Sequence, residues 1–301
     1  MSYVKLLKDL NLFLLIISQL KIQNLLILQK KFLRKYVMSK IYSLATLNRA
    51  KVAIGLDLSS SSYESIINSA IYAEKEGYAY PILVCNKNID VDLPIIVSEN
   101  VEEKLVSLLI NGEVDAIVRG NLSAYKTIKI IKSKFNCNNL YRITIMEIMG
   151  KDLMLAPVGI DEGDNIEDLL EFVIKGKKLA DKIGIDYKIG VISGGRLEDK
   201  GRSKKIDDSL SRAELLVEKI KKMNFNVEHF GIEIERAIKY STMILFPDGI
   251  IGNLVFRALV LIANMESFGA YASALSKVYI DTSRARTGYL LPIILASALA
   301  K

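Results

Sequence analysis

Residues 242–263 read TMILFPDGIIGNLVFRALVLIA. The apolar run Met243–Phe246 stops at Pro247-Asp248-Gly249, and a helical pattern follows over Gly252–Asn264. A short, fully apolar strand that turns at once into a helix is the repeating unit of an α/β layer protein. Asp248 stands where a carboxylate either caps the helix or faces a ligand at the strand's carboxyl end. Gly252 and Asn253 allow close backbone approach, and the free N–H groups of a helix start attract anions. A capping aspartate beside tightly packed glycines explains the same letters.

Outward from this unit the alternation continues. Lys51–Leu58 reads as a strand, and the serines 59–62 cap a helix that Gly77 ends. Pro81–Val84, Ile95–Val97 and Ala116–Val118 read as strands, with a helix at Val101–Ile110. Ala124–Phe135 is a basic-faced helix, and Arg142–Met149 and Asp152–Val158 are adjacent strands. A long helix, Ile166–Ile183, opens at Asp164 or Asn165. Lys188–Ser193 is a strand running into Gly194-Gly195, and a polar loop, RLEDKGRSKKIDD, leads to a helix at Leu210–Met223. An apolar helix, Gly288–Ala300, comes last.

Three further turns carry candidate binding groups. Ser193-Gly194-Gly195, followed by Lys200-Gly201-Arg202-Ser203, resembles a P-loop, but five residues precede Gly201 and Arg202 replaces the lysine. A nucleoside triphosphatase is therefore excluded, while a backbone phosphate cradle or a plain surface loop both remain. In Asp281-Thr282-Ser283-Arg284-Ala285-Arg286-Thr287, two arginines beside hydroxyls suit bidentate recognition of phosphate or carboxylate. A helix cap with solvated arginines is the alternative. Arg119-Gly120-Asn121 ends a strand and opens a helix, another anion-facing turn.

Composition narrows the chemistry. The chain has 301 residues, half of them hydrophobic, which is ample for a core and suggests about two domains. Its net charge is +7, yet residues 1–37 hold seven basic side chains against Asp9 alone, so the remainder is close to neutral. A nucleic-acid surface is not expected. Two cysteines, Cys85 and Cys137, build neither a disulfide framework nor a zinc site. The one histidine, His229, lies in NVEHFG, which lacks the Asp-x-His-x-x-Gly of corrinoid modules. LDLSSSS after the first strand lacks the glycine-rich turn of dinucleotide and S-adenosylmethionine sites. No metal site and no cofactor is evident.

Residues 1–37 contain fifteen Leu or Ile and no Gly or Pro, and read as helix. Their longest charge-free run, Leu10–Leu20, is too short for the roughly 20 residues that span a bilayer. A basic amphipathic helix on a membrane surface, a helix packed on a partner, and translation starting at Met38 all fit.

The units and their order resemble the phosphate acetyl/butyryltransferase and fatty-acid phosphate acyltransferase superfamily. Asp248–Asn253 resembles its DGxxGN turn, Ile189–Gly201 its strand and glycine loop, Ser283-Arg284 its C-terminal Ser-Arg pair, and Val114–Gly120 its ADAxVxG strand end. Within it, the chain is similar to the methanogen group called mtx subunit X, or methanogenesis marker protein 4, which carries a methyltransferase-subunit label. The resemblance implies two Rossmann-like three-layer α/β/α domains facing an interdomain cleft. The first would comprise residues 38–140 with 270–301, the second 141–269. It also implies an anion site at Ser283, Arg284 and the Asp248 turn.

The ligand residues expected are Ser283 and Arg284 in catalytic positions, with Ser193, Gly194, Asp248, Gly252, Asn253, Arg119 and Arg286 around them. The resemblance further implies a cytoplasmic archaeal transferase with coenzyme A or coenzyme M as substrate, corrinoid or methyltransferase subunits as partners, and homodimers. A membrane surface enters only through residues 1–37. One departure bears on mechanism. The superfamily's base aspartate falls at Leu290 here, and no carboxylate lies between Arg284 and Lys301. A general base typically supplies ~10²–10⁴-fold in rate.

Overall fold

A computed structural model describes residues 39–286 and 288–300. The expectations for residues 1–37, Met38 and Thr287 lie outside the described residues. The chain opens with α1 (Ser39–Asn48), β1 (Lys51–Gly55), α2 (Tyr63–Lys75), β2 (Tyr80–Cys85) and β3 (Ile95–Val97). Next come α3 (Val101–Ile110), β4 (Ala116–Val118), α4 (Ala124–Lys134), β5 (Arg142–Ile148) and β6 (Lys151–Ala156). Then follow α5 (Ile166–Ile183), β7 (Ile189–Val191), α6 (Lys204–Lys222), β8 (Val227–His229), α7 (Ile234–Tyr240) and β9 (Met243–Leu245). The last elements are α8 (Gly249–Arg257), a π turn at Ala258–Ile262, β10 (Ser267–Ala272), β11 (Val278–Asp281) and α9 (Leu290–Leu299).

All eleven strands form one sheet in the order β3-β2-β1-β4-β11-β10-β5-β6-β9-β7-β8, with helices on both sides. From β3 to β11 every neighbouring pair is parallel, and so is every pair from β6 to β8. The two flanks are joined by antiparallel pairing through β10 and β5. The boundaries expected at 140/141 and 269/270 fall beside β5 and inside β10, the two joining strands. Strand β11 reaches the first flank only after the chain has built the second.

Parallel strands covered on both faces should be apolar throughout, and β1, β4, β7 and β9 are buried along nearly their whole length. On one face of the first flank Leu105, Leu108 and Leu109 of α3 pack with Ala53, Ile117 and Tyr279. Helix α9 is buried from Leu291 to Leu299 and packs on α2 and on β1, β4, β10 and β11. A helix apolar all round belongs inside, as here.

Several elements differ from expectation. The polar loop ahead of Leu210 is helical from Lys204, where Ser203 accepts from the Ile206 amide at 3.4 Å and Lys204 pairs with Asp208 at 2.5 Å. Its first turns carry charges with little apolar rhythm, so only the cap announces them. The helix expected at Gly252–Asn264 begins three residues sooner and widens into the π turn after Arg257. Helix α1 precedes the first strand, and β8, α7, β10 and β11 are additional. The short strands β8 (VEH) and β11 (VYID) each carry an acidic residue, so neither shows the wholly apolar run that marks IIV and AIV. Among the described residues no helix is long and apolar enough to cross a membrane.

One buried carboxylate makes the fold sensitive to pH. Asp152 lies directly opposite Glu147 in the β5–β6 pair, and burial together with that neighbour pushes its pKa up to about 6. The folded protein thus keeps a proton that the unfolded chain releases near 3.8. Stability therefore falls as pH rises through that window and is flat above it. Asp152→Asn should remove this dependence and stabilise the protein at pH 7 by about 1–3 kcal/mol. Urea unfolding at pH 4.5 and pH 7 measures both effects, and an unchanged pH dependence in the variant would assign it elsewhere.

Candidate anion-binding cleft

Both flanks contribute to a cleft of about 970 Å³ over the middle of the sheet. One wall grows from the carboxyl end of β4. Gly120 adopts φ +65°, and a Cβ there would lie 1.8 Å from the Gly55 carbonyl oxygen, so the turn requires glycine. Asn121 locks it to the loop after β1, accepting from the Asp57 amide at 2.6 Å and donating to the Asp57 carbonyl at 2.9 Å. Ser123 then caps α4. Arg119, Ser123, Tyr125, Lys129 and Lys132 reach the cleft from this wall, and Asp281, Ser283 and Arg284 from the segment after β11. The opposite wall is Val158–Asp161 with Asn253, Phe256 and Arg257 of α8.

A buried ion network ties the walls together. Arg119 Nε donates to Asp281 Oδ1 at 2.5 Å and its Nη1 to the Leu122 carbonyl at 2.5 Å. Arg142 Nη1 reaches Asp281 Oδ2 at 3.3 Å, its Nε reaches Glu162 Oε1 at 3.0 Å, and Nη2 pairs with Asp161. Lys132 Nζ meets Asp161 Oδ2 at 2.6 Å. Burial pushes the Asp281 carboxyl up, but Arg119 and Arg142 more than offset this and hold it below the ordinary range. Burial also opposes ionisation of Asp161, and Lys132 and Arg142 reverse it. Both carboxylates of the cleft are thus ionised, weakly basic, and engaged.

Six cations line the cleft against these two acids. Lys129, Arg257 and Arg284 have no carboxylate within 4 Å among the described residues. The Arg284 side chain is fixed by one bond, Nε to the Leu122 carbonyl at 3.1 Å, which leaves both Nη groups open. At the start of α4 the amides of Ala124 and Tyr125 have no partner among the described residues. A helix N-terminus beside free guanidinium groups offers the positive charge and the N–H donors that anions favour.

The Asp248–Asn253 turn works by packing. Asp248 caps α8, accepting from the Ile251 amide at 2.8 Å. Gly249 and Gly252 lie against the Gly159 and Pro157 carbonyls, where added Cβ atoms would come within 1.6 and 1.9 Å. Asn253 alone faces the cleft, and its Nδ2 donates to the Val158 carbonyl at 2.9 Å. The motif thus holds the 157–162 loop in place.

Of the expected ligand residues, the cleft brings together Arg119, Asn253, Ser283 and Arg284. Asp248 and Gly252 stand behind it. Ser193 and Gly194 lie elsewhere, after β7. Ser193 Oγ is 2.9 Å from His229 Nε2, and the Gly194 amide donates to Ser209 Oγ at 2.8 Å. Burial holds the His229 imidazole below its usual pKa, so it is neutral at pH 7. Arg286 turns to the other side of its segment, with Nε on the Gly288 carbonyl and Nη2 on that of Ser267. Leu290 opens α9 and does not line the cleft. Sequence reasoning missed Arg142, Glu162, Asp161 and Lys132. The one signal was an arginine at the head of the largely buried strand RITIMEI. Among the described residues no group of three His, Cys, Asp or Glu side chains could hold a metal ion.

Solved structures share this architecture. A phosphotransacetylase of Streptococcus pyogenes superposes with a TM-score of 0.63 at 17% identity, covering 88% of this chain and 98% of its own. One from Staphylococcus aureus gives 0.61 at 15%, covering 88% and 99%. The fold is therefore that of the phosphotransacetylase class of α/β proteins. No family model matches the chain. Curated relatives are more specific. The mtx subunit X of Methanosarcina mazei is 34% identical over 269 residues, 88% of this chain and 95% of that protein. That of Methanosarcina barkeri is 36% identical over 261 residues, 85% and 95%. The chain belongs to the mtx subunit X family, whose members are named as methyltransferase subunits.

Proposed function

We propose that the cleft binds an anionic, coenzyme-like ligand and that the protein works as a subunit of a methyl-transfer system of methanogens. The observation that carries the binding reading is the charge inventory of the cleft. Its two carboxylates are already neutralised, while Arg284, Lys129 and Arg257 stay uncommitted. Its volume exceeds what free phosphate needs and suits a larger molecule with an anionic end. The methyl-transfer half rests on the name the relatives carry. With partner subunits supplying the methyl chemistry, this chain would hold and orient the acceptor or donor. Coenzyme A and coenzyme M are the probes of choice.

The fold favours a second reading, a phosphate acetyl- or butyryltransferase forming acyl phosphate from an acyl thioester. That reaction needs a base for the thiol proton. Leu290 cannot serve, and Asp161 and Asp281 are held below the ordinary carboxylate range by their cations. A group so stabilised as an anion takes up a proton poorly at neutral pH.

Calorimetric titration with phosphate, coenzyme A and coenzyme M tests the binding reading. Arg284→Ala should weaken the ligand that binds by about 10–100-fold, the loss of a charge-assisted contact. Affinity unchanged in that variant would remove Arg284 from the site. Acetyl phosphate formation from acetyl-coenzyme A, compared between native protein and Ser283→Ala, tests the second reading. Robust turnover abolished by the substitution would replace the first reading with it.

A further inference from the structure

Helix α4 presents two sides to two surroundings. Thr127 and Ile131 are its buried residues. Tyr125, Ile128, Lys129 and Lys132, spaced i, i+3, i+4 and i+7, all line the large cleft, as one side of a helix must. That side is apolar at its start and basic further along. Tyr125 belongs to the turn whose amides are free, and it is 76% exposed. Its hydroxyl has no partner among the described residues.

The opposite wall is also apolar where it is open. Ile160 is 65% exposed and lines the cleft beside Val158 and the partly buried Phe256. Most of the surface that the cleft presents is apolar, although six cations line it. Tyr125 and Ile160 thus stand largely in solvent on the two walls of one cavity, and neither belongs to the buried core. Covering such surface favours binding, and a bare inorganic anion would leave it wet.

We propose that the ligand of this cleft is an aromatic phosphate ester, whose ring system lies between Tyr125 and Ile160 while its phosphate meets Arg284 and the start of α4. This rests on the anion-binding reading above and adds the chemistry of the ligand's body. Three uncommitted cations, Lys129, Arg257 and Arg284, suit the near-double charge of a phosphate monoester better than a single carboxylate. The rings of Tyr125 and Phe256 favour a flat aromatic body over an alkyl chain, because paired rings gain beyond the area they cover. Cations beside a π face act in the same direction. At about 970 Å³ the cleft lies near the upper end of the range for drug-sized ligands, which leaves room for both parts.

Inorganic phosphate, 1-naphthyl phosphate and octyl phosphate, titrated calorimetrically into the full chain, separate the two parts. 1-Naphthyl phosphate should bind at least about tenfold tighter than phosphate and about threefold tighter than octyl phosphate. Tyr125→Ser and Ile160→Ser should each cut its advantage over phosphate by about fivefold or more, and positions so exposed tolerate the change without unfolding. Arg284→Ala should weaken both probes and keep their ratio within about twofold. Phosphate or octyl phosphate binding as tightly as 1-naphthyl phosphate would overturn the aromatic body and leave the anion site standing. So would an advantage over phosphate that survives in both serine variants, or one that vanishes in Arg284→Ala. No saturable binding of any probe below about 10 mM would overturn this proposal and the anion-binding reading together.

Discussion

Replacing Asp281 with alanine is expected to destabilise the protein by about 3–5 kcal/mol, because it leaves Arg119 and Arg142 buried without their shared counter-ion. Asp281 accepts from Arg119 at 2.5 Å, from Arg142 at 3.3 Å, from the Tyr279 hydroxyl at 3.1 Å and from the Thr282 amide at 3.0 Å. Asp281→Asn keeps the size and one acceptor, so it should cost less. The carboxyl is held below its ordinary 3.8, so its contribution is complete above that pH and is lost as pH falls through the lower folded value. Equilibrium unfolding in urea at pH 7 measures the loss. A cost under about 1 kcal/mol would mean that the two arginines find other partners and that the network is not the fastening between the flanks.

The second large effect is expected from Gly249→Ala or Gly252→Ala. Each adds a single methyl group, yet it would land within 1.6 or 1.9 Å of a backbone oxygen of the 157–159 loop. Backbone cannot rotate away as a flexible side chain does, so α8 or the loop must move. The cost should be about 3 kcal/mol or more, at the upper end for overpacking. The displaced loop carries Asp161 and Glu162, which orient Arg142, so ligand affinity should fall with stability. Alanine variants as stable as the native protein would show that the close approach is not required.

Much of the architecture was legible because it is local. Strand Ala116–Val118 and helices Val101–Ile110 and Ile166–Ile183 match the expected bounds, the strand through its wholly apolar run and the helices through their apolar rhythm, with the Asn165 cap and the Gly184 stop added for Ile166–Ile183. Strands β10 and β11 carried no such rhythm. Gly269 and Tyr271 interrupt SFGAYA, and VYID is four residues long. The site was legible in part for the same reason. Arg119, Asn253, Ser283 and Arg284 each sit at a turn whose letters mark it. Arg142, Asp161 and Glu162 act through partners up to 139 residues away, which no window of sequence brings together. Arg286 stands two positions from Arg284 and yet lines another cavity, while Ala285 between them lines both.

The position of β11 sets an order of events. It fills the gap between β4 and β10, so the middle of the sheet stays unzipped until a strand from near the far end of the chain inserts. Arg119 meets its counter-ion across a separation of 162 positions. Such distant pairing makes for slow closure. A growing polypeptide can shape both flanks early, but the cleft between them comes into being in the same late step that seals the sheet, and a nascent chain caught before that step has neither.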